Sequence, residues 1–360
     1  MAFLDRILDP PSYGYERNGK LYVPTHREIT AEFFSRLNVA RSRKNWLGLF
    51  AWVTSLSFGI PLVLFFTHHF SWWLMAVGFV YSMVVIGTHG TVWFHRYSTH
   101  GAYQFKNAFF RELCRNLVIK IVVEEAYVVS HHVHHSFAEQ PGDPYNARAG
   151  WLYCFLADVN HQALNKTLDR KDYAQVCKLM KHTGVRLNSY EQYQRWGSLC
   201  HPGYTALHFA LNWAFWYGVF FLIGGHALAL ALFGWAGVWA IGVRTYNYDG
   251  HGGGKDRRRE GIDFNSRDQS INQCWPGLIT GEWHNNHHLY PSGARAGFLP
   301  YQFDLAWHFI RAWAWMGAIT SYRDYKQDFL NRYHQPWLAR AKAQDCPETE
   351  RAVPDSSAAS

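Results

Sequence analysis

Cysteine is scarce and unpaired in this 360-residue chain: Cys114, Cys154, Cys177, Cys200, Cys274 and Cys346 stand apart, with no C-x-x-C pair. That argues against a disulfide framework and against a cysteine-built zinc site, and suits reduced thiols in a cytoplasmic setting. Charge is scarce as well, at 17% of residues, and it is unevenly placed. Trp46 to Phe66 contains no acid or base, and in the run from Trp72 to about Phe94 only His89 is ionisable. Two more apolar runs, from about Tyr204 to Ile223 and from about Ala227 to Val243, are joined by the short turn Gly224-Gly225-His226. Each of the four is long enough to cross about 30 Å of hydrocarbon as a helix. A buried helix of a soluble protein would account for one such run, not for four. The mean hydropathy of −0.24 conceals this segregation of apolar runs from polar ones. The N-terminus lacks the apolar core of a signal peptide, so the first run is expected to serve as the insertion signal.

Lysine and arginine are missing from both hairpin turns and gather on the other side. Arg36, Arg41, Arg43 and Lys44 precede the first run, and Arg96 and Lys106 follow the second. Arg195 precedes the third, while Arg244 and the basic stretch Lys255 to Arg259 follow the fourth. The positive-inside rule then places both termini in the cytoplasm and accounts for much of the +8 net charge. No nucleic-acid motif accompanies the basic stretch, so anionic lipid headgroups or an acidic protein are its expected partners. Gly252-Gly253-Gly254 lacks the spacing of a dinucleotide-binding loop. The final stretch, from about Lys342, is rich in Ala, Ser, Pro and acids and is expected to be disordered.

What is abundant is aromatic side chains and histidine. Trp, Tyr and Phe make up 18% of the chain, and there are 21 histidines, many of them clustered. The clusters are His95-Arg-Tyr-Ser-Thr-His100, His131-His-Val-His134-His135 and His284-Asn-Asn-His287-His288. Imidazole is the commonest ligand for redox and Lewis-acid metals. In H-x-x-H-H the residues at i, i+3 and i+4 share one side of a helix, so all three rings can converge on one centre. His95 and His100, at i and i+5, do not share an α-helical face and fit a frayed helix end. Burying so many neutral imidazoles without a metal would leave many polar atoms unpaired. The scattered His68, His69, His89, His201, His208, His226, His308 and His334 read as ordinary core or surface residues, with His89 as an interhelical hydrogen-bonding group. Between the spans, Phe105 to Val129 reads as a helix at the interface, and Phe303 to Ala318 as a helix in the membrane plane whose wet stripe is Asp304, His308 and Arg311.

All three clusters lie outside the apolar runs, where folding of the cytoplasmic segments would bring them together. With Asp143-Pro-Tyr-Asn146 after the second cluster and Trp283 before the third, they resemble the three histidine boxes of membrane fatty acyl desaturases, most closely the stearoyl-CoA, or delta-9, branch. The resemblance covers roughly residues 40 to 325. It implies an all-α integral membrane protein with four transmembrane helices in two hairpins and a helical cytoplasmic cap holding a di-iron site. The domains it implies are a cytoplasmic segment 1–44, a catalytic domain 45–335 and a tail 336–360, in a bacterial inner membrane rather than the endoplasmic reticulum.

That branch carries an N-x-x-x-H element after the fourth span, matched by Asn247-Tyr-Asp-Gly-His251. The implied ligands are therefore His95, His100, His131, His134, His135, His251, His284, His287 and His288, with Asn247 acting through water. His132 falls in a variable slot. Asp143 and Glu282 are candidates for orienting imidazoles from behind. Two Fe ions, O2 as co-substrate and an external electron donor are implied. Iron suits the task, because an unactivated methylene has no acidic proton to remove. Zinc sites are typically satisfied by four ligands, often cysteine, and no cysteine lies in a box.

The chain encodes no electron carrier of its own. His201-Pro-Gly203 faintly resembles a cytochrome b5 motif but reads as a helix start. A ferredoxin, a rubredoxin, or cytochrome b5 with its reductase is expected as partner, alongside a fatty acyl substrate carried as free acid, acyl-CoA, acyl-carrier protein or acyl-lipid. Two departures stand out. Gly281-Glu-Trp283-His284 is one residue shorter than the usual lead into the third box, and Gly250-His-Gly-Gly-Gly254 is an unusual setting for His251. Desaturation is the leading reaction. Hydroxylation or decarboxylation of a fatty acid to a terminal alkene is the alternative, and a non-catalytic membrane metal-binding protein or transporter is an alternative of another class.

Overall fold

The computed structural model describes residues 3–157, 163–251, 253 and 283–344. These are mostly helical, and the only sheets among them are two-stranded. Among the described residues, three helical stretches are long and apolar enough to cross a membrane, Arg43–His68, Trp72–Thr99 and Pro202–Asp249. The first is Trp46–Ser57 followed by Gly59–His68, and the second opens with Trp72–Val80.

The third is not one rod. Gly224 (φ −147°, ψ 21°) and Gly225 (φ 68°, ψ −168°) leave helical geometry within Pro202–Gly242. The left-handed φ of Gly225 suits a residue without a Cβ. The rings of Tyr217 and Phe233 stand 5.6 Å apart across this break, where a straight helix would separate them by about 24 Å. The two arms therefore fold back on each other. His201 accepts from the Gly203 amide at the helix start, as its sequence suggested.

Small residues let the helices approach closely. A Cβ on Gly234 would lie 2.7 Å from the Leu62 Cα, and one on Gly237 would lie 2.5 Å from the Phe58 Cβ. Phe58, Met83, Ile86, Leu232, Phe233 and Trp239 fill the core between these helices. Such close backbone contact is how helices pack where no hydrophobic effect drives them together. His89 bonds through Nε2 to the Cys114 carbonyl at 2.8 Å, the interhelical role expected of it.

Three local expectations are corrected. Gly90–Thr99 is a π-helix, with the His100 amide bonded to the His95 carbonyl at 3.3 Å. At that wider turn i and i+5 do share a face, so the first cluster is a π-helical face rather than only a frayed end. Second, the interfacial helix after Phe105 is short, Ala108–Arg115, and is followed by a buried, non-helical stretch from Asn116. Its backbone is satisfied by side chains: the Ile119 amide donates to Tyr81, the Lys120 amide to Asn212, and Trp213 and Trp216 donate to the Lys120 and Asn116 carbonyls. Third, Asp304 is not on a wet edge. It is 2% exposed, caps the helix Leu305–Trp315 and pairs with the buried Arg96 of the first cluster through oxygens at 2.9 and 3.1 Å.

That ion pair ties the first cluster to the chain beyond the third. The antiparallel strands Tyr103–Phe105 and Ile319–Tyr322 make the same connection. The second cluster lies on the helix Glu124–Phe137, whose N-terminal turn is anchored by Glu125 accepting from the Leu199 and Cys200 amides at 2.7 and 2.9 Å. A separate unit begins at Asp324 and includes the helix Gln335–Gln344.

Candidate metal centre

The nine histidines form two groups. His95, His100, His131, His135 and His287 make one; His134, His251, His284 and His288 make the other, and within each the nitrogens lie within 4.8 Å of one another. The H-x-x-H-H spacing allows its three rings a single centre, but here they divide between the two groups. In the second cluster i and i+4 join the five-histidine group while i+3 joins the other, and in the third cluster the assignment is reversed. The groups adjoin, the rings of His135 and His288 stacking at 4.5 Å.

The spacing inside each group suits a cation. Nε2 atoms are 2.8 Å apart for His95 and His131, 3.1 Å for His131 and His135, and 3.1 Å for His135 and His287. In the other group the separations are 2.9 Å for His251 and His284 and 3.0 Å for His284 and His288. A neutral ring nitrogen carries either one proton or one lone pair, so a chain of four Nε2 atoms cannot satisfy every contact by hydrogen bonding. Two nitrogens about 2.1 Å from one cation and at right angles to each other lie about 3 Å apart. Five donors in one group also exceed the four of a tetrahedral structural zinc site. Burial first, and then the neighbouring imidazoles, hold His131 and His288 well below the usual imidazole pKa, keeping both neutral as ligands must be.

Behind the rings stands a set of oriented partners. His134 Nδ1 lies 2.9 Å from Asp143, His251 Nδ1 lies 3.0 Å from Glu139, His131 Nδ1 lies 2.6 Å from the Tyr145 hydroxyl and His284 Nδ1 lies 3.0 Å from that of Tyr246. The tautomer that turns the Nε2 lone pairs inward puts the proton on Nδ1, which donates to these oxygens. Asp143 is itself held by the Glu139 and Tyr145 amides at 2.8 and 3.1 Å. Glu139 has a left-handed φ of 62°, unusual for a residue with a side chain, and so marks a constrained turn beside the site.

Of the two carboxylates singled out from sequence, Asp143 stands on a cluster histidine and Glu282 lies outside the described residues, as does the basic stretch Lys255 to Arg259. Sequence reasoning missed Glu139, Tyr145 and Tyr246. Tyr145 sits inside the quoted Asp-Pro-Tyr-Asn motif and Tyr246 adjoins Asn247, so position alone offered a signal for both. Glu139 offered none. His132 belongs to neither group.

A narrow cavity of about 60 Å³ opens onto the site. His95, His131, Tyr145, Tyr246 and Asn247 form its head. Phe94, Val122, Tyr127 and Val243 contribute walls, and Gly87, Gly90 and Trp239 lie farther along it. Asn247 therefore stands in the cavity wall beside Tyr246.

Three helices long and apolar enough to cross a membrane, two adjoining all-histidine groups that could hold metal and a largely apolar cavity leading to them suit metal chemistry on an apolar ligand. The fatty acid desaturase family model matches residues 70–323, and the chain belongs to that family. It is an oxidoreductase of the desaturase type. It is 24% identical to an sn-1 stearoyl-lipid 9-desaturase of Synechocystis sp., over 72% of this chain and 74% of that one. It is 25% identical to a protein of the same description from Anabaena variabilis, over 75% and 93%. It is 26% identical to an icosanoyl-CoA 5-desaturase of Limnanthes douglasii, over 70% and 66%.

Proposed function

We propose that this protein inserts a C=C bond into a fatty acyl chain, using two iron ions held by the nine histidines with Asn247 acting through water. The observation that carries the reading is the pair of all-nitrogen groups at the head of an apolar cavity. Iron at such a site would supply the O2-derived oxidising power that acid–base catalysis lacks. In balance, the chain loses two hydrogens, O2 takes up those together with two electrons and two protons, and two waters form. The protein's own residues exclude water from the chain, align it past His95 and His131, and hold the ring protons on Nδ1 through Asp143, Glu139, Tyr145 and Tyr246.

We read the two arms about Gly224-Gly225 as separate crossings. That makes four spans, with residues 45–335 as the catalytic body, both termini and a helical cap holding the site in the cytoplasm, and a bacterial inner membrane as its location. The electrons come from a ferredoxin, a rubredoxin, or cytochrome b5 with its reductase. The relatives are named for lipid-linked and CoA-linked chains and for positions 9 and 5, so their names leave acyl carrier and position open.

The test is mass spectrometry of lipids and headspace volatiles from expressing cells, with iron measured on the purified protein. An internal double bond, lost in His134→Ala and His287→Ala, is expected. A hydroxy acid or a volatile 1-alkene as the main product would replace this reaction by another oxidation, and product retained in both variants would refute catalysis at the site.

A further inference from the structure

The cavity runs along two helical segments that share a direction. Gly87 to His95 and Trp239 to Asn247 each advance eight residues, or about 12 Å if taken as helix throughout, and both end at the histidines. Gly87, Gly90 and Trp239 therefore mark the far end. Below it, Met83, Ile86, Leu232 and Ala236 pack with Trp239 into closed core.

Trp239 is 4% exposed, and its ring edge occupies the place a side chain at position 90 would take. A Cβ on Gly90 would meet the Trp239 Cζ2 at 3.3 Å and Cη2 at 3.5 Å. Beyond this contact lies a small void of about 10 Å³ that shares Gly90, Phe94 and Trp239 with the first cavity. Its other walls include Ile86, Val118, Ile119 and Ile121. Arg115 and Lys120 also line it, and Glu124 holds them at 2.7 and 3.3 Å. Part of the partition between the two spaces is a single indole.

We infer that Trp239, seated on Gly90, is the floor that limits how many carbons of the chain extend beyond the oxidised position. The inference rests on the proposal that the cavity receives an acyl chain for desaturation. An extended chain of single bonds advances roughly 1.2 Å per bond, so a path of about 12 Å matches the length of on the order of ten. Shaving the indole frees its own volume beside that void and admits longer chains, while a methyl on Gly90 crowds the far end and shortens the preferred chain.

Cells expressing the wild type, Trp239→Ala, Trp239→Phe or Gly90→Ala are fed an equimolar mixture of saturated fatty acids of even chain length, and the products are sorted by length. In parallel, the same acids displace a fluorescent fatty acid from each purified protein. Trp239→Ala should raise the yield from chains two carbons longer, relative to the wild-type optimum, by about tenfold, which is what two newly buried methylenes are worth. Trp239→Phe should shift the optimum in the same direction by less, and Gly90→Ala should move it toward shorter chains. The displacement series should shift in parallel. An unchanged length profile, or a loss of activity uniform across lengths, with displacement equally unchanged, would overturn the inference. If the wild type forms no unsaturated product, the desaturation reading fails, while displacement still decides whether Trp239 is the floor. Should Trp239→Ala fail to fold, the other two variants carry the comparison.

Discussion

The five-histidine group draws on His95 and His100 of the first cluster, His131 and His135 of the second and His287 of the third. The four-histidine group takes His134, His284 and His288 from the same second and third clusters and adds His251. Each H-x-x-H-H helix thus serves both groups in complementary proportion. At about 100° per residue, i+4 falls some 40° to one side of i and i+3 some 60° to the other. The i+3 and i+4 rings thus fall on opposite sides of i, which lets one helix serve both groups. The groups also differ behind their rings: Asp143, Glu139 and Tyr246 stand on the four-histidine group, and Tyr145 stands on the five-histidine group. A pair of sites built from shared helices is geometrically coupled, yet each can be tuned separately through the groups that back it.

The largest expected effect comes from removing a ligand on one side only. His287→Ala and His284→Ala should each abolish product while lowering iron by about one ion per chain, because each belongs to a different group. Loss of both ions from either single variant would mean that the two groups assemble as one. Next comes the carboxylate: Asp143→Asn should weaken metal retention by roughly 10–100-fold, measured by chelator competition, and mainly at the group holding His134. An equal effect on both groups would blur the distinction drawn between them.

The phenols sharpen the comparison at lower amplitude. Tyr145→Phe and Tyr246→Phe each remove one hydrogen-bond partner, so turnover should fall roughly 2–10-fold, with Tyr145→Phe affecting the five-histidine group and Tyr246→Phe the other. Spectroscopy of the iron-loaded protein separates the two, since each change should perturb one iron environment. The smallest effect should be that of His132→Ala. Its ring sits in the second cluster but in neither group, and activity should stay within about twofold of wild type. A loss comparable to that of His134→Ala would require a tenth ligand.

Much of the histidine arrangement was legible in the sequence because the spacing of a cluster is local. The clusters announce themselves by spacing, and His251 was found through the resemblance carried by Asn247-x-x-x-His251. Asp143 was within reach because it follows the second cluster closely. Glu139 was not, since its side chain is aimed by a left-handed backbone turn that no residue type signals. The face shared by His95 and His100 was misjudged for a similar reason: the spacing was read on an α-helix, and the segment is wound as a π-helix. Asp304 looked like one member of a wet stripe until Arg96, 208 residues away in sequence, was seen beside it.

Composition and spacing alone determined that the chain has helices apolar enough to cross a membrane and histidine clusters at or beyond their ends. Burial of apolar side chains and the ligand chemistry of imidazole are properties a linear sequence carries with it. Tertiary structure decided how the nine rings divide between two groups, which oxygens stand behind them, and how Trp239 seats on Gly90 in the cavity wall. Each of these depends on the relative placement of helices far apart in the chain, and small differences in turn geometry there select among arrangements that the same sequence pattern permits.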